Sequence, residues 1–104
     1  MNVSEMIPAS ERAAELMRSL SHPQRLLVLC ALGSRERSVA DLRAELDIEQ
    51  VPMSQHLMRL RADGLVEARR EGKTILYRIA RSEVLGVVEA LHAAFCPSPV
   101  APAG

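Results

Sequence analysis

Two cysteines, three histidines and a set of short or forked polar side chains are the residues of this chain with chemistry to offer. Cys30 and Cys96 are the only thiols. A thiolate is a nucleophile and a metal ligand, and in a reducing compartment a lone pair of cysteines is more often buried, reactive or metal-binding than a permanent staple. His92 and Cys96 stand one helical turn apart, so both could grip one metal, with Cys30 as a third ligand. Soft thiolates also suit copper(I) or haem iron. Equally, Cys30 could be a small core residue and Cys96 an incidental thiol near the chain's end. A Cys–His pair is the raw material of a nucleophilic enzyme, but no oxyanion site accompanies it. The glycines at 33, 64, 72, 86 and 104 form no phosphate-binding loop. An enzyme is therefore not expected.

The second set lies between residues 50 and 73. Met53, Leu57 and Leu60 recur at a helical period, and the opposite face offers Gln50, Ser54, Gln55, His56 and Arg59. Glutamine pairs bidentately with adenine, serine with several base edges, and arginine reads guanine or holds phosphate. The amides at a helix N-terminus also point at phosphate. Arg69, Arg70 and Lys73 cluster around Gly72, where a protruding hairpin would meet a DNA backbone. An ordinary solvated face, and a charged edge that blocks aggregation, are the plainer explanations of these two features. Charge distribution favours DNA. The chain is neutral overall, yet residues 1–49 hold six basic and eight acidic side chains, residues 50–81 seven basic and three acidic, and residues 82–104 only Glu83 and Glu89. A basic middle between acidic ends is an electrostatic footprint for phosphate.

The elements that must position these residues follow from pattern. With 104 residues, 48% hydrophobic and only 2% aromatic, the chain makes one domain with an aliphatic core, which favours helices packed on helices. Residues 1–8 read as a loose arm. Ala13, Leu16, Met17 and Leu20 mark a first helix with Ser10 as its cap. Ser21-His22-Pro23 starts a second, apolar almost all round to Leu32 and hence central; His22 beside that start is structural. Ser38 caps a third carrying Val39, Leu42 and Leu46. A brief turn leads to the fourth, residues 50–62, ended by Asp63-Gly64. Residues 65–70 and 74–80 are strands of a β-hairpin around Glu71-Gly72-Lys73. Val84, Val87, Val88, Leu91 and Phe95 mark a last helix to about Cys96. Residues 97–104 are a Pro-rich flexible tail. The fold class expected is mainly α with a small β-hairpin, in the order α-α-α-α-β-β-α: a helix-turn-helix with a wing, over residues 1–96. The longest apolar run, residues 26–32, is far too short to span a membrane. The charged first twenty residues lack a secretory apolar region, so a cytoplasmic protein is expected. A chain this short has limited core, so the first and last helices are expected to find partners across a subunit boundary.

Several stretches resemble the ArsR/SmtB family of bacterial repressors: Leu20-Ser21-His22-Pro23-Gln24-Arg25-Leu26, Ser54-Gln55-His56-Leu57, Leu60-Arg61-Ala62-Asp63-Gly64-Leu65-Val66, and Glu71-Gly72-Lys73 through Tyr77. The combination is specific where any one piece would be weak. It implies a winged helix-turn-helix homodimer, joined by its first and last helices, that binds double-stranded operator DNA and releases it when an inducer arrives. Two-fold related reading helices imply a palindrome with half-sites about one turn apart. The metal-ligand sets of metal-sensing members are absent: the second helix reads Leu29-Cys30-Ala31-Leu32 with one thiol, and the last helix has Arg81-Ser82-Glu83 early and Ala94-Phe95-Cys96-Pro97 late. The placement of Cys30 and Cys96 resembles the family's sulfane-sulfur-sensing, persulfide-responsive branch. That resemblance implies a redox switch without metal or cofactor, in which reactive sulfur species link the two thiols through a di- or polysulfide and the repressor leaves its operator. The alternative is a metal- or haem-responsive repressor using Cys30, His92 and Cys96.

Overall fold

A computed structural model describes residues 1–96; the tail expected over 97–104 lies outside the described residues. The elements are α1 (Val3–Met6), α2 (Ser10–Leu20), α3 (Pro23–Leu32), β1 (Arg37–Ser38), α4 (Val39–Leu46), α5 (Gln50–Ala62), β2 (Val66–Glu71), β3 (Thr74–Ile79) and α6 (Ser82–Phe95). The expected order of seven longer elements holds, with two short additions.

The first addition is α1. Residues 1–8 are not a loose arm throughout, because Asn2 caps a single turn by accepting the Ser4 N–H at 3.1 Å. Ser10 is not a cap: it lies inside α2, and its hydroxyl donates back to the Ile7 carbonyl at 2.9 Å. The second addition is β1, whose two residues pair with Tyr77 and Leu76 of β3 and make a three-stranded antiparallel sheet in the order β1-β3-β2. No periodicity can show in two residues.

Side-chain caps start α3 and α4, whereas α2, α5 and α6 begin without one. Nδ1 of His22 accepts the Gln24 N–H at 3.1 Å, and Pro23 occupies the first turn of α3, where its missing N–H costs nothing. Ser38 accepts the Asp41 N–H at 3.1 Å and starts α4. The α4–α5 turn passes through Asp47 in the left-handed region (φ 53°), one of the residue types that tolerates it, and Arg43 Nε steadies the turn by donating to the Ile48 carbonyl at 3.2 Å.

Helix α3 is central as its pattern required: it packs on α2, α4, α5, β3 and α6. Val28, Leu29 and Leu32 are fully enclosed with Leu42, Met53, Leu57, Leu60, Leu65 and Val84. Val84 and Val88 of α6 and Leu20 of α2 therefore belong to the core of one protomer, not to a subunit boundary. What these helices leave exposed is Met17 of α2 and Phe95 of α6; Val3 and Met6 of α1, and Ile7 just after it, are exposed as well. Among the described residues no helix is long and apolar enough to cross a membrane.

Candidate nucleic-acid interface and thiol pair

Helix α5 sits against the core through Met53, His56, Leu57 and Leu60. Its exposed side carries Gln50, Ser54, Gln55 and Arg59, four of the five residues expected there. Arg43 of α4 donates to Gln50 Oε1 at 2.9 Å, and Gln50 Nε2 donates to Ser54 Oγ at 3.2 Å, so the first turn of α5 presents an ordered chain of hydrogen-bonding groups. Arg43 escaped the sequence reading because it sits on the preceding helix.

His56 does not share that face. It is 8% exposed, its Nε2 lies 2.7 Å from Gln24 Oε1, and its ring rests on that of His22 with centroids 4.6 Å apart. Burial, then the neighbouring His22 and Arg25, lowers its pKa, so the neutral imidazole is the favoured form. Position 56 is one turn from Leu60 and three residues from Met53, which turns its ring toward α3. His56 is a latch between α5 and the start of α3.

The C-terminal end of α5 is tied down by a second network. Ser19 is nearly sealed from solvent, and its hydroxyl donates to Asp63 Oδ2 at 2.5 Å; Arg59 Nε donates to the same oxygen at 2.8 Å. The Ser19 hydrogen bond, followed by Arg59, holds the Asp63 carboxyl below its ordinary pKa. Arg59 is thus exposed but already paired.

The wing is the β2–β3 hairpin, registered from Val66↔Ile79 to Glu71↔Thr74. Gly72 takes φ 63°, and a Cβ there would meet nothing within 4 Å, so backbone conformation alone calls for glycine at this turn. Arg70 donates to the Gly72 carbonyl at 3.0 Å, and Lys73 protrudes with no ion-pair partner among the described residues. Arg69 differs from the cluster expected at the tip. It faces Leu76 across the hairpin and makes a two-pronged contact with Glu36 at 2.6 and 2.8 Å, plus Glu71 at 3.2 Å. Those contacts raise its pKa and lower that of Glu36. Its charge is largely offset before any phosphate arrives.

Cys30 and Cys96 are both free and exposed. Cys30 lines a cleft of about 400 Å³ between the end of α3 and α6, with Leu85, Val88, Glu89 and His92. Cys96 follows α6, its N–H bonded to the His92 carbonyl at 2.9 Å. Partial burial, then the nearby Cys96, pushes the Cys30 thiol above its ordinary 9.0. Cys30 is therefore neither a sealed core residue nor an activated thiolate. Among the described residues no three His, Cys, Asp or Glu side chains gather to hold a metal ion, so Cys30, His92 and Cys96 do not form a three-ligand set.

A short helix, a tight turn, an exposed polar helix and a basic hairpin define a winged helix-turn-helix DNA-binding protein. Comparison with known proteins places it further. Residues 22–68 match the family described as bacterial regulatory protein, arsR family. The chain is 40% identical over 96 residues to the transcriptional activator HlyU of Vibrio cholerae, covering 92% of this chain and 89% of that one. It is 45% identical over 94 residues to the biofilm growth-associated repressor of Agrobacterium fabrum, covering 86% and 80%. The crystal structure of the transcriptional repressor BigR from Xylella fastidiosa superposes with a TM-score of 0.88 at 38% identity, covering 94% of this chain and all of that one. The homodimeric winged helix-turn-helix domain of Mb0332 from Mycobacterium bovis superposes with a TM-score of 0.74 at 30% identity, covering 84% and 81%. The chain belongs to the ArsR family of bacterial transcriptional regulators. It is a DNA-binding regulator and not an enzyme.

Proposed function

We propose that the protein is a homodimeric repressor whose reduced form holds a palindromic operator and whose Cys30 and Cys96 are linked by reactive sulfur to release it. The observation that carries this reading is the thiol pair itself: two free, exposed cysteines, Cys30 in the α3–α6 cleft that His92 also lines and Cys96 one turn beyond His92, bonded to its carbonyl. The exposed apolar side chains of α1, α2 and α6 suit a subunit boundary, and the relative solved as a homodimer supports it. Gln50, Ser54 and Gln55 would read bases; Arg70 and Lys73 would hold phosphate, with Arg59 and Arg69 contributing less because Asp63 engages the first and Glu36 and Glu71 the second.

The chemistry balances with sulfane sulfur as oxidant. One thiolate takes a sulfur atom from a polysulfide, which leaves one sulfur shorter, and becomes a persulfide. The other thiol attacks the inner sulfur, the outer one departs as hydrogen sulfide, and a disulfide closes. If both thiols are persulfidated first, the outer sulfur of one attacks the inner sulfur of the other, hydrogen sulfide again departs, and the bridge closes with one extra sulfur. A plain disulfide needs Cα atoms within about 7 Å, and inserted sulfur relaxes that limit. The bridge ties α3, on which α5 is latched through His56, to α6. Switching from 1:99 to 99:1 requires about 5.5 kcal/mol of difference between the two forms, which the link supplies by disfavouring the DNA-bound geometry.

The test is retention of an operator duplex by wild type, Cys30→Ser and Cys96→Ser before and after polysulfide. All three should bind, and only wild type should let go. A single-serine variant that still releases DNA overturns the paired-thiol reading, because release then needs no bridge between Cys30 and Cys96.

A further inference from the structure

We infer that Val51 and Met58 read the 5-methyl groups of thymine in the major groove. This rests on the DNA-binding role of α5 and assigns it a base preference. Val51 and Met58 are 66% and 69% exposed, and the polar readers around them are exposed too. On a helix of 3.6 residues per turn they fall on one line with Gln55 between them, directly opposite the buried stripe of Met53, His56, Leu57 and Leu60. They therefore occupy the middle of the outward face.

The other large exposed apolar side chains among the described residues fall into two places. Met1, Val3, Met6, Ile7, Met17, Leu27 and Phe95 are on or beside α1, α2, α3 and α6; Ile75 is on the wing. Val51 and Met58 belong to neither group, so the surface proposed for the second subunit does not account for them. A helix face meant only for phosphate has no use for a valine and a methionine. A face that reads base edges does, because the thymine methyl is the apolar feature of the major groove and apolar side chains are its complement. Met58 also lines, with Ser54, Arg61 and Tyr77, a cleft of about 480 Å³ between α5 and the wing. A nucleotide entering there meets a hydroxyl, a guanidinium and an apolar wall together.

Spacing adds a second constraint. Seven residues of helix span roughly 10 Å, about three base steps of duplex. Each protomer should then show two methyl-sensitive positions about three base pairs apart.

The experiment uses duplexes enriched by the wild-type protein from a random library, then remade with uracil for thymine one position at a time. Wild type should lose about fourfold in affinity at each sensitive thymine, the worth of one buried methyl. Val51→Ala should weaken binding to the thymine duplex and lose sensitivity at one position; Met58→Ala should do so at the other. Both variants should melt and sediment as wild type does, since both side chains are exposed. Variants that bind thymine and uracil duplexes with wild-type differences overturn the assignment. So does a change in sedimentation, which would place these side chains in a subunit contact. A wild-type protein that enriches no duplex at all overturns DNA binding itself, and the inference falls with it.

Discussion

Truncating His56 separates a latch from a base reader more sharply than any other change. In His56→Ala the ring lost is almost wholly buried, its hydrogen bond to Gln24 at 2.7 Å goes, and so does its packing on His22. A net hydrogen bond is worth about 1 kcal/mol, and burial of the ring adds about 1–2 kcal/mol. The total of about 2–3 kcal/mol is a large share of the stability of a small domain and lowers Tm by about 10–20 °C. The pH dependence carries a sign. The folded pKa of His56 lies below its unfolded value of about 6.5, so its contribution is complete above that pH. As pH falls through 6.5 the unfolded chain takes up a proton first, and stability declines until the folded pKa is passed. Between pH 7.5 and 5.5 wild type should therefore lose more stability than His56→Ala. The assay is thermal unfolding by circular dichroism at both pH values, paired with binding to single-base operator variants well below Tm. A variant with wild-type Tm that loses about 1–3 kcal/mol at one base position would refute the latch and restore His56 to the reading face.

Ser38→Ala should cost about 1 kcal/mol in urea unfolding, because the hydroxyl is the cap of α4; an unchanged midpoint would remove the cap from the account. Lys73→Ala should weaken binding to all sequences alike and make the plot of log affinity against log salt shallower by about one unit, whereas Glu36→Gln should free Arg69 and steepen it; an unaltered slope in Glu36→Gln would mean that Arg69 stays clear of phosphate. In Cys96→Ser, alkylation of Cys30 should rise with pH around a midpoint still higher than that of an unperturbed thiol, since burial, the larger cause of its raised pKa, remains; a midpoint near neutrality would contradict the partly buried setting of Cys30.

Most of the fold was legible because its signals are local and repeated. The all-apolar α3, the Met53-Leu57-Leu60 stripe and the alternation along β3 each declare a period, and Ser38 and Gly72 punctuate them. What escaped was short or depended on partners distant in sequence. A two-residue strand has no period, and an isolated turn such as α1 is set by one asparagine. His56 reads as polar and therefore outward; only α3, with Gln24 and His22, makes an inward imidazole acceptable. Arg69 looks like a free cation until Glu36 is brought beside it by the fold. Val51 and Met58 had no part in the sequence reading, although their helical phase, opposite the Met53-Leu57-Leu60 stripe, was a signal that could have found them. The α6 valines illustrate the opposite error. A short chain suggested that they needed a partner subunit, yet α3 supplies enough apolar surface to cover Val84 and Val88 within one protomer.

The central claim is that linking Cys30 to Cys96 is what removes the protein from DNA, and intact-mass analysis of separated pools tests it most directly. Wild-type protein bound to its operator is treated with substoichiometric polysulfide, and the retained and released fractions are weighed. The retained protein should have the mass of the dithiol. The released protein should be two hydrogens lighter than the dithiol, with or without whole sulfur atoms added, and digestion should place the bridge between the peptides of Cys30 and Cys96. Released protein carrying no bridge, or bridged protein still held on the operator, would contradict it.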